Sequence, residues 1–316
     1  MSNVNKAKTV SVKRQLDRGA PLVVSYGVGV DSTAMLVGMH QRHIRPDLIL
    51  FANTGCEHPE TYDYVDYADR FLKRWGFPEI TVAQYVPKRS HTGIIFESLE
   101  QESFHSHRLP SPAYGFKKCT LKWKRSAMDN LVKRDFAPAE EAWAKRLKVV
   151  RAIGYDAGAA DMKRGWEIKD DKLWAYWYPL REWDWTREDC IDQIRRAGLK
   201  VPRKSSCFIC PNMQRWEVDK LMDEHPDLAQ RAMMIEALAL PSSTSVLGLW
   251  RHGTKGTRDP DRWRPGSWTQ YLLRRKLAQG KRLTRDESWL LDWYERTLRQ
   301  KYGTIGPVEP PQGVKW

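Results

Sequence analysis

The sequence predicts an α/β protein: a doubly wound, mostly parallel sheet with a helical C-terminal part. Three observations carry this expectation. From residue 21 to about 157, short β-type runs alternate with helical stretches, the pattern of a parallel sheet whose crossovers are helices. The first run feeds a glycine-containing turn and then a helix start. From 213 onward the chain reads mostly helical. With 316 residues, it is long enough for one large domain or two modest ones around a proper core.

In chain order, residues 1–20 read as a basic, flexible N-terminus. Strands are expected at Leu22–Tyr26, Leu48–Ala52, Ile80–Val86 and Lys148–Ile153, with helices over Asp31–His43, Pro59–Trp75 and Thr120–Arg134. The stretch Gly93–Phe116, with His105, His107, Pro110 and Pro112, is long and irregular, as lids and binding loops are. A further β-type run, Leu173–Tyr178, precedes Thr186-Arg187-Glu188-Asp189, a helix start with a capping hydroxyl and an acidic first turn. That helix runs to Ala197 and stops at Gly198. A turn-rich segment, Lys204–Pro211, leads into the helical part. The stretch Arg251–Gly266 interrupts that part with a dense basic-aromatic cluster: Arg251, Lys255, Arg258, Arg262 and Arg264, with Trp250, Trp263 and Trp268. No internal repeat or low-complexity segment is present.

Bulk properties narrow the partners. The net charge is +14 and there are 15 tryptophans. Such a surface suits a polyanion, because Lys and Arg neutralise phosphates and aromatic rings stack on bases. No run of about 18 apolar residues occurs, and the N-terminus lacks the apolar core of a signal peptide. No membrane association and a cytoplasmic location are expected. Five cysteines without a secretion signal favour reduced thiols or metal ligands over disulfides.

The motifs cluster at expected strand ends. In Val23-Val24-Ser25-Tyr26-Gly27-Val28-Gly29-Val30-Asp31-Ser32-Thr33, a strand–turn–helix points backbone N–H groups at one spot, at the positive end of a helix dipole. That suits a phosphate. The Gly-Lys-Ser/Thr ending of a Walker loop is missing. The second strand ends in Asn53-Thr54-Gly55-Cys56-Glu57-His58-Pro59-Glu60-Thr61. Ligands bind beyond the carboxyl ends of parallel strands near a reversal of strand order, so this turn and the first one are expected to share a crevice. Cys56, Glu57 and His58 read either as a reactive cluster or as a helix start with Pro59 and Glu60 in its first turn. Gly154-Tyr155-Asp156 ends the fourth strand and points to the same crevice, with Lys163 and Arg164 beyond it.

Cys207 and Cys210 form a Cys-x-x-Cys in a turn-rich segment, suited to two ligands of one metal or cluster. Cys119 lies upstream among Lys117, Lys118, Lys122, Lys124 and Arg125. Spacing alone leaves zinc, iron–sulfur and a redox dithiol open. Cys190 sits beside Ile191 and Ile194 on an amphipathic helix, where burial is its ordinary fate.

Taken together, these motifs resemble the PP-loop ATP pyrophosphatase superfamily, and within it the phosphoadenosine phosphosulfate (PAPS) reductase-like branch. That branch includes sulfonucleotide reductases, the sulfur-transfer component of DNA phosphorothioation systems and many phage-encoded relatives. The matching pieces are Ser25–Ser32, Asn53-Thr54-Gly55-x-Glu57-x-Pro59-Glu60-Thr61, Lys118-Cys119-Thr120-x-Lys122, Ile153-Gly154-Tyr155-Asp156, and Tyr178-Pro179-Leu180 before Trp185-Thr186-x-x-Asp189. They run in the family's order from about 21 to 211. The family's loop usually reads Ser-Gly-Gly-x-Asp-Ser, so Gly27 and Val28 stand where Ser and Gly are usual, and one hydroxyl donor is lost.

The resemblance implies an adenine nucleotide alpha hydrolase-like, Rossmann-like fold. It divides the chain into residues 1–20, a nucleotide-binding domain with the cysteines at 21–211, and a basic, Trp-rich helical region at 212–316. It implies ATP with Mg²⁺ over the loop, with Asp31 and Ser32 catalytic. Ser25, Gly27, Gly29, Asp31, Ser32, Thr33, Thr54, Gly55, Glu57, Gly154 and Asp156 would bind the nucleotide. Cys119, Cys207 and Cys210 would hold a [4Fe-4S] cluster, with Cys190, Cys56 or no protein residue as fourth ligand, and zinc as the alternative occupant. The activity implied is adenylation of a nucleic-acid target, tRNA or DNA, or of a nucleotide, followed by sulfur transfer from a donor such as a cysteine desulfurase. Two alternatives stay open: a sulfonucleotide reductase-type oxidoreductase, and a non-catalytic nucleic-acid-binding protein with structural zinc. Against the first, true sulfonucleotide reductases carry a catalytic cysteine in a C-terminal Glu-Cys-Gly-Ile/Leu-His motif, and no cysteine follows Cys210.

Overall fold

Two of the expected strands, β1 (Leu22–Ser25) and β2 (Leu48–Asn53), are almost wholly apolar and buried on both faces, which demands a parallel sheet covered on both sides. A computed structural model describes residues 11–86, 93, 95–159, 161–162, 169–250 and 266–303. Its sheet contains β1, β2, β3 (Ile80–Gln84), β4 (Val149–Ile153) and β5 (Trp174–Trp177), all parallel, in the order β3-β2-β1-β4-β5. Each strand falls within two residues of its expected end points. The order reverses between β1 and β4, so the loops leaving those two strands flank the switch point. Gly154-Tyr155-Asp156, expected at the same crevice as the first loop, lies directly across the switch point from it.

The chain divides into two compact units. The first comprises 1–53, 57–85 and 122–205 and holds the whole sheet. On one sheet face Val24, Ile49, Phe51, Val150, Ala152 and Trp177 pack with the helices α2 (Val30–Gln41), α3 (Pro59–Arg74) and α8 (Arg187–Arg196). On the other, Val23, Leu50, Val149 and Trp174 meet α5 (Ala127–Asp135) and α6 (Ala137–Ala144). Alternate strand residues feed the two cores, as the period of two requires. Helix α7 (Pro179–Glu182) follows β5. Arg151 breaks the apolar pattern of β4 at 2 % exposure. It pairs with Asp129 and stacks 3.8 Å over Trp174, so its burial has both a charge partner and a ring.

Residues 11–17, expected within the flexible N-terminus, form helix α1. Val12 and Leu16 pack into the core, and the Gln15 side-chain oxygen accepts from the Lys148 N–H at 3.0 Å. The expected helix over Thr120–Arg134 is a π-helix, Thr120–Ser126, running into α5. Thr186 caps α8 as expected, its hydroxyl and N–H both meeting the Asp189 carboxylate.

The second unit comprises 54–56, 86–121 and 206–316. The irregular stretch after Gly93 contains helix α4 (Leu99–Ser106), capped by Ser98, and a 3₁₀ turn at Ser111–Tyr114. Helices α9 (Arg215–Glu224) and α10 (Pro226–Ala239) pack together, as do α11 (Trp268–Ala278) and α12 (Arg285–Tyr302). Glu236, 1 % exposed, joins them. Its carboxylate accepts from the N–H groups of Leu249, Trp268 and Thr269 and from the hydroxyls of Ser267 and Thr269, all within 3.0 Å. Burial raises its carboxyl pKa, and these donors oppose the rise. No helix among the described residues is long and apolar enough to cross a membrane.

Candidate functional site

The loop leaving β1 is held rigidly from below. The Tyr26 N–H bonds the Leu50 carbonyl at 2.8 Å, and the Tyr26 phenol meets the Thr33 hydroxyl at 3.2 Å, both residues being buried. Gly27 is exposed, and Val28, 2 % exposed, adopts φ 58°. A β-branched residue rarely takes this left-handed conformation. The loop thus keeps the backbone path of a glycine at a position where a side chain is buried. Gly29 caps α2, and the Ser32 hydroxyl both accepts from the Gly29 N–H and donates to the Gly29 carbonyl, each at 3.2 Å. Thr33 sends its N–H to the Gly29 carbonyl at 3.0 Å. Its hydroxyl and N–H are therefore both used inside the protein. Ser25, at the end of β1, has a buried hydroxyl with no hydrogen-bond partner among the described residues.

The other side of the switch point is close. A Cβ on Gly154 would lie 2.8 Å from the Ser32 backbone nitrogen and Cα and 3.0 Å from the Asp31 carbonyl carbon. Only glycine lets the end of β4 approach the first turn of α2 this nearly. Beyond it, carboxylate oxygens of Asp31, Asp156 and Asp161 lie within 4.8 Å of one another. Burial, outweighing the opposing effect of Arg187, raises the Asp31 carboxyl pKa, and the two neighbouring carboxylates push the same way. Arg187, in the first turn of α8, donates to both Asp31 oxygens at 2.7 Å. Arg181, 5 % exposed, donates to the main-chain carbonyls of Asp156, at 3.4 Å, and Asp161. Its guanidinium lies 4.7 Å over Tyr178, which stacks on Tyr155 with ring centroids 5.7 Å apart. Glu57 is buried and pairs with Lys124 at 3.5 Å. Lys124 lies on the π-helix, a rare element that recurs at functional sites.

The cysteines separate. Cys56, Cys119, Cys207 and Cys210 all fall in the second unit, and none forms a disulfide. The Thr54 hydroxyl meets the Cys207 Sγ at 3.2 Å, the Phe208 N–H donates to the Cys56 carbonyl at 2.8 Å, and the Cys210 N–H to the Cys207 carbonyl at 3.0 Å. Gly55 makes this turn possible: its φ is 68°, and a Cβ would stand 2.5 Å from that of Ser98. Cys119 directly precedes the π-helix, its N–H on the Ser111 hydroxyl at 2.9 Å. Cys190 is elsewhere, fully buried in the apolar core of the first unit, where desolvation pushes its thiol pKa up. No three cysteine sulfurs among the described residues lie within 4.8 Å of one another. A tetrahedral zinc with thiolates at about 2.3 Å would bring them to roughly 3.8 Å. The donor set is thus more open than a preformed zinc site.

Apart from Glu57, paired with Lys124, and Cys119, tied to Ser111, the sequence-derived residues fall into three groups. Ser25, Gly27, Gly29, Asp31, Ser32, Gly154 and Asp156 flank the switch point, with Thr33 behind it. Thr54, Gly55 and Cys56 gather with Cys207 and Cys210. Cys190 belongs to the core. Sequence reasoning missed Arg187, Asp161 and Ser205 as site residues. The Ser205 Oγ lies 3.2 Å from where a Gly29 Cβ would be. The basic residues Arg251, Lys255, Arg258, Arg262 and Arg264, with Trp263, lie outside the described residues, as do Lys163 and Arg164.

Residues 21–136 match the phosphoadenosine phosphosulfate reductase domain family. No curated protein matches the chain. Among solved structures, the U34-tRNA thiolase NcsA from Methanococcus maripaludis, with its [4Fe-4S] cluster, aligns over 74 % of this chain and 77 % of its own. The sequence identity is 16 % and the TM-score 0.34. A likeness of that size does not carry chemistry from one chain to the other.

Proposed function

We propose, on the premise that this chain is a PAPS reductase-like member of the PP-loop superfamily, that it cleaves ATP to AMP and pyrophosphate. In doing so it adenylates an oxygen of a nucleic-acid or nucleotide target for sulfur transfer. The observation that carries the reading is the switch point. There the loop Tyr26–Gly29 and the turn Gly154–Asp156 meet at the N-terminus of α2, beside three carboxylates.

The first-turn N–H groups of α2 suit the ATP phosphates, and the orphaned Ser25 hydroxyl marks a polar group still in need of a partner. Asp31, Asp156 and Asp161 offer the oxygen donors that Mg²⁺ prefers, and the bound ion would screen the phosphate charge. Arg187 fixes the Asp31 carboxylate in place. Ser32 sets the turn that aims the N–H groups. The target oxygen forms a bond to the α-phosphorus as the bond to the bridging oxygen breaks, releasing pyrophosphate. A sulfur nucleophile then forms a bond to the activated carbon or phosphorus of the target as AMP leaves with the original oxygen.

Cys119, Cys207 and Cys210 would hold a [4Fe-4S] cluster with Cys56, which belongs to the same unit, as fourth thiolate, while Cys190 is buried in the apolar core of the first unit. Such a cluster, when bound, supplies iron for sulfur handling or electron transfer. The charge of +14 supports a polyanionic acceptor, tRNA or DNA, and a cysteine desulfurase would serve as sulfur donor. Incubation with Mg²⁺-ATP and tRNA or DNA, followed by nucleotide chromatography, tests the reading. AMP and pyrophosphate support it. Turnover of PAPS with thioredoxin favours a reductase, and nucleic-acid binding without ATP binding favours a zinc-bearing binding protein.

A further inference from the structure

We propose that Ser205 binds the nucleotide phosphate, supplying from a distant segment the side-chain hydroxyl that the loop after β1 does not itself present. The proposal rests on the reading of that loop as the ATP site. Beyond Ser25, which lies buried at the end of β1, the loop's own hydroxyls are committed to its architecture. Ser32 is tied to both backbone groups of Gly29, and Thr33, fully buried, is tied to the Tyr26 phenol. Gly27 and Gly29 have no side chains. Over this bare stretch lies Ser205: its Oγ is 3.2 Å from the place of a Gly29 Cβ and 3.9 Å from that of a Gly27 Cβ.

The hydroxyl therefore covers the part of the turn that a bound phosphate must approach. An anion seated on the α2 N–H groups would receive an O–H donor beside them, a charge-assisted hydrogen bond of the stronger kind. Ser205 immediately follows Lys204, and one residue, Ser206, separates it from Cys207.

Gly27 supplies the test. Its φ lies outside the left-handed region, and a Cβ there meets nothing nearer than 3.9 Å, so a serine fits. Binding of Mg²⁺-ATP is measured by titration calorimetry on the parent protein, Ser205→Ala, Ser205→Thr and the double variant Gly27→Ser/Ser205→Ala. Loss of the hydroxyl should raise Kd about 10- to 100-fold. Ser205→Thr should stay near the parent, and the double variant should recover most of the loss. Equal binding by the parent and Ser205→Ala would overturn the proposal and leave the ATP site standing. Loss without recovery in the double variant would also overturn it, since Ser205 would then shape the loop rather than touch the phosphate. Absence of ATP binding by the parent would instead remove the reading on which it rests.

Discussion

Gly154, at the end of β4, presses against Ser32, in the first turn of α2: a Cβ on the glycine would stand 2.8 Å from the serine's backbone nitrogen. The contact is backbone to backbone, so no side chain can turn aside to relieve it. Gly154→Ala should cost about 1–3 kcal/mol by overpacking. It should weaken ATP binding more than that loss of stability explains, because the displaced group is the helix start itself. Thermal unfolding and ATP titration on the same variant check both parts.

Val28 sets two opposed magnitudes against each other. Its φ of 58° costs about 1–2 kcal/mol for an L-residue with a branched Cβ. Its burial at 2 % exposure contributes about 2 kcal/mol. Val28→Gly should therefore change stability by about 1 kcal/mol or less. Val24→Gly, equally buried but on ordinary strand backbone, has only the loss and should cost well over about 2 kcal/mol. Denaturant midpoints of the two variants decide this. Equal losses would mean that Val28 is not strained.

Protein purified without oxygen should be brown, with broad absorbance near about 400 nm from thiolate-bound iron. Cys207→Ser and Cys210→Ser should lower its iron and sulfide content and bleach it. Cys190→Ser should not, since that sulfur lies in the apolar core of the first unit. Cys56→Ser should leave a cluster with altered electron paramagnetic resonance. Zinc in place of iron in the parent protein would contradict the cluster assignment.

Much of the fold was legible in the sequence because most of its strands are short runs of Val, Ile, Leu and aromatic residues, bounded by turn residues and, apart from the edge strand β3, largely buried on both faces. Leu48–Asn53 is the clearest example. Helices α1 and α4 were not legible, being short. Ser98 with Glu100 and Glu102 behind it was the available signal for α4. The π-helix escaped because its pattern differs from an α-helix by a single residue per turn. The site was half legible. Glycines and hydroxyls at strand ends announced the loop and placed Gly154-Tyr155-Asp156 at the same crevice, whereas the closeness of Gly154 to the Ser32 backbone is a property of the folded topology. Arg187 reaches Asp31 across 156 positions. No local pattern reports a pairing of that kind.

The central claim, cleavage of ATP between its α- and β-phosphates at the β1 loop, is tested most directly by following ATP labelled at the α-phosphate. The incubation contains Mg²⁺ and tRNA or DNA, with the parent protein and Asp31→Asn compared. The account predicts labelled AMP and an equal yield of pyrophosphate, passing through label held on the nucleic acid. Asp31→Asn should slow this by about 100-fold or more. Labelled ADP with free phosphate, or no turnover by a parent protein that carries its iron, would contradict it.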